Sequence, residues 1–297
     1  MSISGGDNLL IFGCGFSGEA IAVKAAGSFA TITGTTRDAA KAGRIRNAGA
    51  EPLVFNGEAL SPELLLQLET TTHLIISIAP DETGDPVLNA IAAAEAGLPA
   101  LRWIGYLSTV GVYGDHGGAW VDETAEPRPV SKRSRQRLEA ETAWREFATA
   151  RGLPLAILRL SGIYGPGRNA FINIEKGTSR RLVKPGQVFN RIHRDDIASA
   201  ALSAACSNAD GIFNITDDEP APPQDVVAFA HELAGIPPPP EIDFETADLS
   251  PMARSFYGEN KRVSNARSKA ELGLAYAFPD YRTALTRMWR EKSWKLQ

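Results

Sequence analysis

The sequence predicts an α/β fold, a doubly wound parallel sheet with a smaller C-terminal lobe. Apolar, often β-branched runs alternate with helical stretches from residue 9 to residue 158, several of the helices open on a cap residue or a proline, and this rhythm loosens after residue 160. Strands that alternate with helices need crossover connections, and crossovers build a parallel sheet covered on both faces.

The elements follow in order. Leu9–Phe12 is the first strand; it breaks at Gly13 and continues as a helix from Gly18 to Ala26, closed by Gly27. Phe29–Thr33 is a β-branched second strand, and Asp38 caps the helix after it. Pro52–Phe55 is the third strand. Ser61-Pro62-Glu63 supplies a cap and a first-turn proline, and His73–Ile78 is apolar enough to be buried on both faces. Asp85-Pro86 opens an alanine-rich helix reaching Ala96, Leu101–Ser108 is the fifth strand, Ser131–Arg151 a long helix, and Leu153–Leu158 the sixth strand. Beyond them Val188–Ile192, Asp195–Ser207, Gly211–Thr216 and Pro223–Ala234 read as a smaller lobe laid on the strand ends. Pro237–Pro240 is a rigid connector. The basic, amphipathic stretch Tyr281–Trp294 places Leu285, Met288 and Trp289 on one face, for core packing.

Composition excludes several classes. The chain has 297 residues, 43% of them hydrophobic, enough for a large core. A formal net charge of -4 gives no general attraction for nucleic acid or an anionic membrane, and no segment is long enough to span a bilayer. The opening apolar run is short and has no basic leader, so it reads as the first strand rather than a signal peptide. Two cysteines, Cys14 and Cys206, make neither a disulfide framework nor a metal-ligand set, and a cytoplasmic location fits them.

The loop after the first strand carries the chemistry. Gly13-Cys14-Gly15-Phe16-Ser17-Gly18 is a G-x-G-x-x-G run between a strand and a helix. The first glycine permits a sharp turn, the second removes a side chain that would block a pyrophosphate, and the third lets helix and sheet pack closely. Amide N–H groups at the helix start then face the phosphates. Residues 1–160 therefore read as a dinucleotide-binding Rossmann domain. Residues 161–297 read mostly as a substrate lobe, with some elements returning to that core. At the end of the second strand Thr33-Gly34-Thr35-Thr36-Arg37 stands where sites for NAD carry an acid for the ribose diol. The Arg37 guanidinium and nearby threonine hydroxyls suit a 2′-phosphate, so NADP is expected ahead of NAD. The alternative is that Arg37 is a surface charge at a helix start.

Four segments extend this reading. Besides the glycine loop they are Leu107-Ser108-Thr109-Val110-Gly111-Val112-Tyr113-Gly114, Leu158-Arg159-Leu160-Ser161-Gly162-Ile163-Tyr164-Gly165-Pro166-Gly167, and Ile192-His193-Arg194-Asp195-Asp196-Ile197-Ala198. Over nearly its whole length the chain thereby resembles the extended and atypical short-chain dehydrogenase/reductases, the NAD-dependent epimerase/dehydratase family. The resemblance implies a cofactor site of Gly13, Gly15, Phe16, Ser17, Gly18, Thr36, Arg37, Ala79, Pro80, Ser108 and Arg135. It also implies a Ser or Thr, a Tyr and a Lys that move a proton while the nicotinamide moves hydride. Thr109 matches the hydroxyl. Counting back from Glu139 puts Arg135 at the lysine position and Ser131 at the tyrosine position, so the usual phenol and amine are absent. Tyr113 is the nearest substitute acid, with Asp115, His116 and His193 behind it; its alternative is a pocket wall.

The acidic, glycine-rich segment from Gly111 to Pro129 resembles the family's lid. Opposite it stand Arg168, Asn169, Arg180, Arg181, Lys184, Arg191 and Arg194, of which Arg168 and Arg191 adjoin the motifs that border the substrate. Two functions stay open: an NADP-dependent oxidoreductase or epimerase acting on a hydroxyl or carbonyl of a small anionic or sugar-like substrate, and a catalytically silent NADP-binding sensor or regulator. The helices Asp85–Ala96 and Ser131 onward are able to pair across a two-fold axis, as in relatives that form homodimers.

Overall fold

A computed structural model of the chain describes residue 3 and residues 5–296. In chain order the first half holds β1 (Asn8–Phe12), α1 (Phe16–Ala25), β2 (Thr31–Thr36), α2 (Ala42–Asn47), β3 (Glu51–Val54), α3 (Pro62–Thr70), β4 (His73–Ile76), α4 (Pro86–Ala93) and β5 (Trp103–Thr109). A 3₁₀ turn (Val110–Tyr113), β6 (Trp120–Val121), α5 (Lys132–Arg151), β7 (Leu155–Leu160) and β8 (Gly162–Tyr164) follow. The rest comprises α6 (Ala170–Glu175), β9 (Arg181–Val183), β10 (Arg191–His193), α7 (Arg194–Ser207), β11 (Gly211–Ile215), α8 (Pro223–Ala234), β12 (Glu241–Asp243), α9 (Pro251–Phe256), β13 (Arg262–Val263), α10 (Ala266–Leu272) and α11 (Tyr281–Arg290).

Among the described residues seven strands form one parallel sheet in the order β11-β7-β5-β4-β1-β2-β3. Alternate residues of its central strands enter two cores. Leu9, Ile11, Ile75, Leu158 and Phe213 pack against α1 and α7, while Leu10, Phe12, Leu74, Ile104 and Ile157 pack under α3, α4 and α5. Side-chain caps fix several helix starts: Ser61 accepts from Leu64 N, Asp85 from Val87 N and Leu88 N, and Asp280 from Thr283 N.

Two elements assigned to the smaller lobe from sequence lie in the main body. β11 is the sheet's edge strand beside β7, and α7 packs along α1. The cause is the small-residue face of α7, Ala198, Ala201 and Ala205, which brings that helix against Ile21, Ala22 and Ala25. The smaller lobe is built on the parallel pair β12 and β9 and a cluster in which Phe171, Ala230, Tyr281, Leu285 and Met288 bury one another. Among the described residues no helix is long and apolar enough to cross a membrane.

Candidate functional site

The C-terminal ends of β1 and β2 shape the first part of the site. Gly13 adopts φ +86°, and its N–H donates to Thr35 Oγ1 (2.8 Å) while Cys14 N–H donates to Thr35 O (2.8 Å), so β2 holds the loop open. The three glycines have different reasons. A Cβ on Gly13 would lie 2.9 Å from Ile78 Cγ1, and one on Gly18 would lie 2.8 Å from the Gly13 carbonyl oxygen. A Cβ on Gly15 would meet nothing within 4 Å. The protein's own packing thus accounts for Gly13 and Gly18, whereas the space above Gly15 is open to a ligand. There α1 starts with no side-chain cap, leaving first-turn amides to face that space. Ser17 is buried behind it. The Cys14 thiol, pushed up to about 12 by burial, is no nucleophile.

At the end of β2 Arg37 is exposed. The carboxylate next in sequence, Asp38, caps the following turn by accepting from Ala40 N–H (2.9 Å), and Thr36 Oγ1 accepts from Asp38 N–H (3.2 Å). Ala79 is exposed and Pro80 half-buried beyond the end of β4.

At the end of β5, Thr109 is half-buried and its Oγ1 accepts from Gly111 N–H (3.1 Å). Ser108 departs from expectation: its hydroxyl turns into the sheet–helix interface and donates to Glu141 Oε1. Glu141 also accepts from Arg159 Nε (3.2 Å) and Nη2 (2.7 Å), which makes a buried network joining β5, α5 and β7. Tyr113 departs as well. Its side chain is fully buried, its hydroxyl donates to Asn214 Oδ1 (2.8 Å), and the Arg159 guanidinium lies 4.8 Å from its ring centre. Burial pushes its phenol up, and the structure makes it core rather than cleft.

The register of α5 is corrected by two residues. Glu139 is exposed, and the inward glutamate is Glu141. Arg135 is exposed and its Nη1 donates to Val130 O (3.0 Å), in the loop before α5. One turn before Glu141 stands Arg137, whose Nη1 donates to Leu107 O (2.9 Å), Tyr106 Oη (3.1 Å) and Ile78 O (3.4 Å). Its charge therefore sits between the ends of β4 and β5. Ser131 caps α5, accepting from Ser134 N–H (3.1 Å) and donating to Ser134 Oγ (2.9 Å). Arg137 and Ser134 were missed in the sequence reading. The stripe Ala140, Trp144 and Ala148, buried four residues apart, is the signal that marks the inward face.

The cations of the second half separate. The Arg191 Nη1 donates to Phe189 O (2.9 Å) and Ala221 O (3.0 Å), bracing the smaller lobe from inside. Arg180, Arg181 and Lys184 bond Asp248 O, Glu241 and Tyr257 O. Arg168 is exposed in a turn closed by the Gly165–Arg168 bridge. His193 is buried, its ring centre 3.8 Å from that of Phe278; burial pushes it down to about 4, and its Nδ1 accepts from Asp195 N–H (3.3 Å). The lid is laced to a distant segment: β6 pairs with β13, Asp115 accepts from Asn260 N–H (2.8 Å), the His116 ring meets Tyr113 O, and buried Lys261 donates to Gly114 O (2.7 Å). Among the described residues no group of His, Cys, Asp and Glu is placed to hold a metal ion.

Comparison with known proteins adds to this geometry. Residues 9–216 match the family model described as the NAD dependent epimerase/dehydratase family. A functionally unknown conserved protein from Silicibacter pomeroyi is 47% identical, with a TM-score of 0.86 over 96% of this chain and 99% of its own. The 3-diazoavenalumate denitrifying reductase of a Streptomyces species is 26% identical over 77% of this chain and 73% of its own length. Human epimerase family protein SDR39U1 (isoform 2), solved with NADPH, shares the fold at 18% identity, with a TM-score of 0.72 over 95% of this chain and 99% of its own.

Proposed function

The chain belongs to the NAD-dependent epimerase/dehydratase family, and from that premise we propose that it is an NADP-dependent oxidoreductase or epimerase acting on a hydroxyl or carbonyl of a small anionic or sugar-like substrate. The observation that carries the reading is the open space over Gly15 at the uncapped start of α1, where amide N–H groups without a side-chain cap face outward. Arg37 and Thr36 would hold the 2′-phosphate, because Asp38 is engaged in its cap and leaves the guanidinium as the charge that decides at the end of β2. When bound, NADP supplies a hydride donor or acceptor at its nicotinamide ring.

The chain's own residues do the remaining work. Thr109, accepting from Gly111 N–H, keeps its hydroxyl proton to donate to the substrate oxygen. Arg137 sets a fixed positive charge between β4 and β5 that stabilises the ribose end and the developing alkoxide. A guanidinium does not relay protons, and the linked hydroxyls of Ser131 and Ser134 at the start of α5 are the groups that would resupply the proton. A second reading, a silent NADP-binding sensor, is favoured by the burial of the Tyr113 phenol.

Titrating NADPH and NADH by nicotinamide fluorescence tests the cofactor. NADPH is expected to bind more tightly, with the preference lost in Arg37→Ala; equal affinities in the parent protein would refute NADP. NADPH bound but never oxidised across a panel of aldehydes, ketones and nucleotide sugars would decide for the sensor.

A further inference from the structure

Phe16, the first residue of α1 and part of the glycine loop, carries two cations from the other half of the chain on its ring. The Arg194 guanidinium carbon is 5.1 Å and that of Arg168 5.9 Å from its ring centre. Arg194 opens α7 and, among the described residues, has only the adjacent Asp195 as ion-pair partner (3.5 Å). Arg168 is exposed and, among the described residues, forms no ion pair. The nearest acid along α1, Glu19, is taken by Arg44 (2.8 Å). Two guanidinium groups are thus gathered on one ring with too little negative charge from the protein.

The turn that carries Arg168 is strapped down by the C-terminal tail. The Trp294 carbonyl accepts from Gly167 N–H (2.7 Å) and from Asn169 Nδ2 (2.7 Å), and Asn169 Nδ2 also donates to Gly165 O (2.8 Å). Leu296 lies over Gly167, where an added Cβ would stand 2.5 Å from its Cγ. On the other side Gly165 leaves room for the Arg194 stem, since a Cβ there would lie 3.2 Å from Arg194 Cγ. A cation held this way spends little entropy on capturing an anion.

We infer that Arg168 and Arg194 form a cationic clamp on the diphosphate of the dinucleotide, reaching from the second half of the chain to the group that the glycine loop cradles from below. The inference rests on the dinucleotide reading of that loop. It takes Arg168 out of substrate recognition and makes cofactor binding knit α1 to the turn at 165–168. Paired guanidinium groups suit this ligand because each can bond two phosphate oxygens.

Fluorescence titration of the full chain with NADPH and NADH, and displacement by ADP-ribose and by AMP, tests the clamp. Arg168→Gln and Arg194→Gln are each expected to weaken NADPH, NADH and ADP-ribose by the same factor, about tenfold, and to weaken AMP, which carries one phosphate of the pair, by less. Arg168→Lys keeps the charge but not the two-oxygen contact, and recovers only part of the loss. Melting curves of each variant identify any that fail to fold, and Arg168, being exposed, is the arm that then decides. Variants that bind dinucleotides as the parent does, or that lose NADPH alone or AMP equally, would overturn the clamp. A parent that binds neither dinucleotide would overturn the cofactor reading itself.

Discussion

Replacing Gly15 with alanine separates what the ligand needs from what the fold needs. An added methyl there meets no protein atom within 4 Å, so the cost to the fold is the poorer cap at the start of α1, about 0.5–1 kcal/mol. The matched control is Gly13→Ala. Its methyl would lie 2.9 Å from Ile78 Cγ1 and 3.1 Å from Ile78 N, on a backbone held at φ +86°. Left-handed strain of about 1–2 kcal/mol and overpacking of about 1–3 kcal/mol sum to about 2–5 kcal/mol. At about 2 °C per kcal/mol for a chain of this size, Gly13→Ala should melt about 4–10 °C lower. Gly15→Ala should melt within about 2 °C of the parent. Binding should reverse the order of interest. Holding the phosphates away from two amides costs about 3 kcal/mol, or about 100-fold in NADPH affinity. Differential scanning fluorimetry and nicotinamide fluorescence read the two effects separately. Gly15→Ala binding NADPH as tightly as the parent, or melting as low as Gly13→Ala, would refute the assignment of that space to phosphate.

Two further outcomes follow from buried charge. Glu141→Gln leaves Arg159 uncompensated beneath Tyr113 and should lower stability by about 3–5 kcal/mol in urea denaturation; a loss under about 1 kcal/mol would show that the network contributes little. Asp217 is pushed up to about 8 by burial, from 3.8. Its folded form keeps a proton that the unfolded chain releases, so its contribution is fully present below about pH 4 and is lost as pH rises to about 8. Asp217→Asn should therefore gain stability relative to the parent between pH 5 and pH 8, and a pH-independent difference would refute the shift.

Legibility in the sequence varied from residue to residue. The glycine loop, the helix starts at Ser61 and Asp85 and the buried strand His73–Ile76 were readable because short-range sterics and hydrogen bonds within a few residues fix them. Strand ends were less so. β2 runs from Thr31 to Thr36 rather than stopping at Thr33, because its last residues pair with β3 at Leu53 and Val54. The turn of α5 was misread because motif spacing offered two glutamates two residues apart, and each residue rotates the helix by about 100°.

The sequence by itself determined a parallel α/β sheet, a glycine-rich loop at its head and the resemblance to an NAD-dependent family, since strand–helix alternation and short motifs are written in runs of neighbouring residues. Only the tertiary structure decided which side chains share the site. Glu141 is chosen over Glu139 by Ser108, 33 residues away, and by Arg159, 18 away. Tyr113 is drawn into the core by Asn214, 101 residues on; Arg194 meets Phe16 because α7 packs on α1, and Arg168 reaches the same ring from the turn at 165–168. Such choices follow from the free energy of burying a charge or a phenol with a partner. That partner is supplied by the fold and not by the neighbouring sequence.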